Sequence, residues 1–173
     1  MTTIYTIGHS TRPLEELVSL LQASGVAHLV DVRTVPRSRR HPYFAAEALS
    51  RSLPAAGIAY HHMAELGGLR KPRPDSVNTA WRHEGFRGYA DYMSTAGFDR
   101  GIEALLCVAR TGPTAIMCAE AVWWRCHRQL IADALVARGC AVRHILAADS
   151  APAHTLTEFA RVSDGRVSYR GLI

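Results

Sequence analysis

Apolar residues recur along the chain in two periods, and the switches between those periods predict its elements. The run Ile4-Tyr5-Thr6-Ile7-Gly8 is β-branched and aromatic and stops at a glycine, which predicts a strand over about Thr3 to Gly8. Leu14, Leu17, Val18 and Leu21 then fall at helical spacing, with Ser10 or Thr11 as cap, Pro13 in the first turn and an end near Gly25. The segment from Val26 to Val32 is almost continuously apolar, the pattern of a strand covered on both faces. A helix is expected over about Ala45 to Pro54, a short strand over Gly57 to Tyr60 and a short helix over Phe86 to Met93. A longer helix is marked by Phe98, Ile102, Leu105, Leu106 and Ala109. Thr114 to Cys118 forms the fourth expected strand, Cys126 to Arg138 a helix capped by Gly139, and Ala141 to Leu146 a fifth strand. The polar tail after Asp149 receives no element.

Strands that alternate with helices call for right-handed crossovers, and so for an α/β fold. The expected architecture is a single-domain three-layer sandwich over residues 1–173, with a mostly parallel sheet of about five strands. Two stretches lack useful periodicity. Arg33 to Phe44 holds two prolines and four arginines and is expected as an exposed loop; a polar, basic, proline-bearing loop is inserted at about 69–85. No apolar run is long enough for a membrane span, and the first residues lack a basic start and a cleavage site. A cytoplasmic location away from membranes is the expectation.

Charge sharpens the picture. The formal net charge is +5, and Lys71 is the only lysine. The positive excess gathers in Arg33, Arg37, Arg39 and Arg40, and again in Arg70, Lys71 and Arg73. Arginine's flat fork of donors grips phosphate or carboxylate through two bonds. An anionic small molecule or a nucleotide is therefore the expected partner, with nucleic acid as the alternative. Cys107, Cys118, Cys126 and Cys140 do not form a disulfide framework in such a chain. Cys107 and Cys140 are expected as buried apolar fillers.

In parallel sheets, ligands bind outside the carboxyl ends of the strands. The residues expected at those ends are His9, Ser10, Asp31, Arg33, His61, His62, Cys118 and Glu120. Cys118 opens the most informative segment, CAEAVWWRCHR, which places Cys126, His127 and Arg128 in the first turn of a helix. Unpaired N–H groups and the helix dipole stabilise an anion there, and the same field lowers a thiol's pKa, with Arg125 and Arg128 adding to it. Cys118 or Cys126 is the candidate nucleophile, and Glu120, His127 and His9 are candidates for proton transfer. Ser10, Arg33, Ser38, Arg39, Arg125 and Arg128 are candidates for holding the anion, while Asp31 and His61 complete the set. His28 and His144, inside strands, are expected as satisfied internal histidines, and Trp123 and Trp124 as packing or as a stacking face for a base.

Three functions fit these residues. One is a thiolate-dependent transferase or hydrolase acting on a phosphorylated or other anionic small molecule. Another is a non-catalytic nucleotide or nucleic-acid binding module built on the basic stretches. The third is a zinc or iron enzyme drawing on Cys118, Cys126, His127, His9 and His61, although their spacing is unlike the close C-x-x-C pairs of structural zinc sites.

The motifs TIGHS (Thr6 to Ser10), LVDVRTVPRSRRHPYF (Leu29 to Phe44), GIAYHHMAELGG (Gly57 to Gly68), YADYM (Tyr89 to Met93) and CAE followed by CHR (Cys118 to Arg128) resemble domain-of-unknown-function family 488. The resemblance runs from about Ile4 to Ile145. It implies a compact prokaryotic α/β fold whose signature residues map onto His9, Ser10, Asp31, Arg33, Pro36, Ser38, Arg39, His61, Cys118, Glu120, Cys126, His127 and Arg128, and it assigns no activity. A looser likeness links Cys118 and the LVDVR stretch to rhodanese and cysteine-phosphatase domains. Six residues separate Cys118 from Arg125 where phosphatases have five, and no glycine between them builds a phosphate-cradling nest. Neither activity is carried over.

Overall fold

A computed structural model describes residues 1–171. Five strands, β1 (Thr3–Gly8), β2 (His28–Asp31), β3 (Ala59–His62), β4 (Thr114–Cys118) and β5 (Ala141–His144), pair in parallel in the order β3-β2-β4-β1-β5. Helices α1 (Leu14–Ala23) and α2 (Ala46–Ala55) cover one face of this sheet. Helices α3 (Glu84–Tyr92), α4 (Ala96–Ala109) and α5 (Arg128–Ala137) cover the other. This is the expected α/β three-layer sandwich. Among the described residues, no helix is long and apolar enough to cross a membrane.

Strand alternation explains how one sheet serves two cores. In β4, wholly buried at the centre, Ala115 and Met117 face the core with Leu17 and Leu21 of α1 and Leu49 and Leu53 of α2. Ile116 and Cys118 face the opposite core, with Tyr89, Phe98, Ile102 and Leu130. The chain leaves β1 toward α1 on one face and leaves the neighbouring β4 toward α5 on the other. Adjacent strands whose continuations diverge in this way leave a crevice at their carboxyl ends. The register places Gly8 of β1 beside Cys118 of β4 at that point.

Several expectations need correction. Helix α1 begins after Pro13 and has no side-chain cap. Ser10 instead sits at φ 48°, where its N–H donates to the Ala119 carbonyl and ties the end of β1 to the exit of β4. Strand β3 lies two residues later than its apolar pattern suggests. The 33–44 loop is not wholly exposed, because a 3₁₀ turn at Pro42–Phe44 buries Phe44 completely. Helix α5 starts at Arg128, so Cys126 stands just outside it in extended backbone (φ −139°, ψ 154°). Cys107 is exposed rather than buried, and Cys140 is half-buried, packed at the edge of a core. The tail forms a hairpin, β6 (Arg161–Ser163) and β7 (Arg166–Ser168), turning at Asp164 and Gly165 with positive φ.

The crevice depends on a missing side chain. A Cβ on Gly8 would lie 1.7 Å from the Glu120 carbonyl oxygen and 2.6 Å from its carbon, both main-chain atoms that cannot rotate away. Gly8→Ala is expected to destabilise the protein by about 1–3 kcal/mol, the usual penalty for overpacking, in denaturant unfolding.

Candidate functional site

The carboxyl ends of β2 and β4 open into a cleft of about 390 Å³. Its floor is Cys118, Cys126 and His127, its walls include Val35, Leu69, Phe86 and Tyr89, and Arg37, His83, Glu120 and Arg125 stand around it. Burial of both sulfurs follows from the fold, since Cys118 is the last inward residue of β4 and Cys126 packs into the same core immediately before α5.

Cys126 is placed where a negative charge is stabilised from several sides. Its sulfur accepts from the Arg128 backbone N–H at 3.4 Å, the first of the N–H groups left unpaired at the start of α5. His127 Nδ1 lies 3.5 Å from the same sulfur, while His127 Nε2 donates to the Val32 carbonyl at 2.8 Å. That second bond fixes which ring nitrogen faces the thiol. Gly68 leaves space for the ring, since a Cβ there would meet Nδ1 at 3.1 Å. Burial opposes ionisation of Cys126. Hydrogen bonds from Cys118 and His127, together with the charges of His127 and Arg128, outweigh that penalty and hold its pKa well below the usual thiol value. Cys118 shifts the other way, because burial and the neighbouring Cys126 charge both disfavour a second thiolate. Its thiol donates to the Glu120 carbonyl at 4.0 Å. The two opposite shifts favour Cys126 over Cys118 as the sulfur that ionises first.

Arg128 lies beneath this pair rather than in the cleft. Its side chain is buried, with Nη2 donating to the Glu120 carbonyl at 2.6 Å and Nη1 to Thr6 Oγ1 at 3.3 Å. Nε has no acceptor, and no carboxylate pairs with the guanidinium among the described residues. Arg128 therefore serves the thiols electrostatically and does not reach a ligand in the cleft.

The other expected residues divide. Glu120 and Arg125 stand at the cleft, and Arg33 lines it with a guanidinium already committed. Arg33 bonds Asp31 through Nε at 2.9 Å and Nη2 at 2.6 Å, donates to the Phe44 carbonyl at 2.7 Å, and meets His9 Nε2 at 3.3 Å. Asp31, fully buried, also accepts from Tyr60 at 2.5 Å. This knot holds the loop after β2 in place. His9 belongs to it, its ring tilted against Phe44 with centroids 4.3 Å apart, donating from Nδ1 to the Ser10 carbonyl, and burial chiefly lowers its pKa. Ser38 caps its own loop by accepting from the His41 N–H at 3.0 Å. Ser10, Ser38, Arg39 and His9 do not line the cleft. His61 is also elsewhere: with β3 displaced, it lies inside the strand and pairs with His28 at 3.1 Å. Among the described residues, no three His, Cys, Asp or Glu side chains are arranged to hold a metal ion. Of the residues proposed as zinc or iron donors, only Cys118, Cys126 and His127 meet at the cleft.

The sequence reading missed Arg37, His83, Phe86 and Tyr89 as cleft residues. Tyr89 packs its ring 5.1 Å from His127 and donates to the Leu66 carbonyl. Its signal was available in YADYM, but helical spacing alone does not say what the buried face touches. Of the second basic patch, Arg70 lies 3.7 Å over the Tyr92 ring and Arg73 pairs with Asp75. Trp123 packs flat against His144, and Trp124 is half exposed.

The division of roles between the sulfurs has a measurable consequence. Replacing Cys118 by Ala or His127 by Asn removes a donor to the Cys126 thiolate and raises its pKa, so less thiolate is present at neutral pH. The pH midpoint of iodoacetamide alkylation of Cys126, followed by peptide mass spectrometry, is expected to rise by about one unit in each variant.

No curated protein and no solved structure is significantly similar to the chain. The family model described as "Domain of unknown function DUF488" matches residues 13–135 of the 173, a stretch that carries Asp31, Arg33, both cleft cysteines, Glu120, His127 and Arg128. On that match, the chain belongs to the DUF488 family.

Proposed function

We propose that the protein is a thiolate-dependent enzyme, a transferase or hydrolase, whose substrate is a small molecule with an anionic group and an apolar or aromatic part. The observation that carries this is the Cys126 sulfur, held by the Arg128 N–H and His127 at the floor of an open cleft. Core packing needs none of those polar contacts. A buried thiolate costs stability wherever it is not used, and its placement beside a histidine is the arrangement that activates a nucleophile.

The walls suggest the substrate class. Val35, Leu69, Phe86 and Tyr89 offer apolar and aromatic surface, and Leu69 is 87 % exposed at its position. Arg37 and Arg125 make no ion pair among the described residues and are free to meet an anion. A nucleotide has both characters, as does a smaller aromatic phosphate. In the reaction, Cys126 attacks the electrophilic phosphoryl or sulfur centre and the bond to the leaving group breaks. The leaving group departs with the electron pair and takes a proton from His127. The group held on sulfur is then passed to an acceptor, or to water activated by His127 or Glu120.

The test is a panel of nucleotides, aromatic phosphate monoesters and thiosulfate, each incubated with the protein, quenched in acid and read by intact mass spectrometry. A covalent adduct or turnover that disappears in Cys126→Ser is the expected result. Arg37→Ala and Arg125→Ala should each raise KM by about tenfold with little change in kcat, as loss of a charge-assisted contact does. Turnover that persists in Cys126→Ser would overturn the proposal. Binding that survives loss of both thiols and weakens steeply with salt would instead favour a nucleic-acid module.

A further inference from the structure

Behind the cleft, on the far side of Arg128, lies a buried chain of polar side chains that the site as described does not use. Arg128 Nη1 meets Thr6 Oγ1 at 3.3 Å, and Thr6 Oγ1 meets His144 Nδ1 at 2.7 Å. His144 Nε2 meets His154 Nδ1 at 2.9 Å, and His154 Nε2 meets Asp133 Oδ1 at 2.8 Å. Thr6, Arg128, Asp133, His144 and His154 are all buried.

With both rings neutral, the two ends fix the direction of every bond between them. Arginine has only donors and an ionised aspartate only acceptors. Thr6 therefore accepts from Arg128 and gives its own proton to His144 Nδ1. His144 must then donate from Nε2 to His154 Nδ1, and His154 from Nε2 to Asp133. Both rings are neutral in this arrangement, each with its proton on Nε2. Burial first, then the neighbouring His154 and Arg128, pushes His144 down to about 3, in keeping with a neutral ring. Asp133 is otherwise saturated, since its oxygens also accept from the Thr157 N–H at 3.0 Å, the Thr157 hydroxyl at 2.7 Å and the Tyr169 hydroxyl at 2.8 Å. Trp123 lies flat over His144, with centroids 4.3 Å apart and planes 7° from parallel, and meets His154 edge-on.

We propose that Thr6, His144, His154 and Asp133 act as a positioning relay that holds the Arg128 guanidinium beneath the two cleft thiols and supplies its distant negative counter-charge. This rests on Cys126 being the reactive thiol of the proposed function. A buried guanidinium without compensation is costly, and among the described residues Arg128 touches no carboxylate directly. The relay gives it one by way of three intermediate groups. It also joins β1, β5, α5 and the segment after β7. Thr6, His144, His154, Thr157 and Tyr169 all lie outside the stretch matched by the family model, so the relay extends the site beyond that stretch.

Two measurements test it. In ¹⁵N-labelled wild-type protein at neutral pH, long-range ¹H–¹⁵N spectra should show both His144 and His154 as neutral rings with the proton on Nε2. A doubly protonated ring, or a proton on Nδ1 of either, would overturn the relay without the need for any variant. In the second, Thr6→Val removes the hydroxyl and keeps the strand residue's shape, whereas Thr6→Ser restores a hydroxyl. The pH midpoint of iodoacetamide alkylation of Cys126 should rise by about one unit in Thr6→Val and stay within about 0.3 unit of wild type in Thr6→Ser. Equal midpoints in wild type and Thr6→Val would overturn the relay while leaving the proposed function standing. A wild-type Cys126 no more reactive than free cysteine would overturn both, and that failure shows before any Thr6 variant is made.

Discussion

The site is organised by a buried positive charge, Arg128, that no carboxylate among the described residues touches. Arg128 sits under the crevice between β1 and β4, reaching the Glu120 carbonyl on one side and Thr6 on the other. An uncompensated guanidinium in a protein interior is expensive, and its field favours an anion nearby. Cys126 is the group that answers, from just before the helix that Arg128 begins. Gly8 belongs to the same arrangement, because its bare Cα lets the Glu120 carbonyl approach closely enough to hold the arginine. Burial first, and then the neighbouring Cys126 sulfur, push the Cys118 thiol the other way, since two negative sulfurs in one small volume would repel each other.

A separate knot of charge fixes the other side of the cleft. Asp31 and Arg33 bond along two edges, and Tyr60, His9 and the Phe44 carbonyl complete their partners. Buried pairs of this kind contribute more to specifying one conformation than to net stability. Here the conformation specified is that of the loop carrying Thr34, Val35 and Arg37 to the cleft wall. One arginine therefore fixes the loop, one charges the floor, and two others, Arg37 and Arg125, remain at the opening.

Much of this was legible in the sequence, and the failures have identifiable causes. Strands β1 and β4 occupy the expected residues because short β-branched or continuously apolar runs bounded by glycine or proline leave little choice. The CHR segment was singled out because a thiol and arginines at a helix start carry chemistry whatever the fold. Alternation was harder. A two-residue displacement of β3 put His61 inside a strand instead of at its end. In the basic loop, the choice between Arg37 and Arg39 depends on backbone direction, which no periodicity encodes. The Asp164-Gly165 pair between two Arg-Val-Ser repeats was a readable hairpin signal that the polarity of the tail obscured. The partners of Arg128 and Asp133 could not be read at all, because long-range hydrogen bonds leave no mark in local sequence.

The central claim is the ionisation of one particular sulfur, and ultraviolet titration of thiolate absorbance addresses it directly. The difference between wild type and Cys126→Ser should show one thiolate that persists as the pH falls well below the ordinary thiol range, and that disappears only on further acidification. A difference spectrum in which that sulfur gains its proton at or above the ordinary thiol pKa would contradict the account.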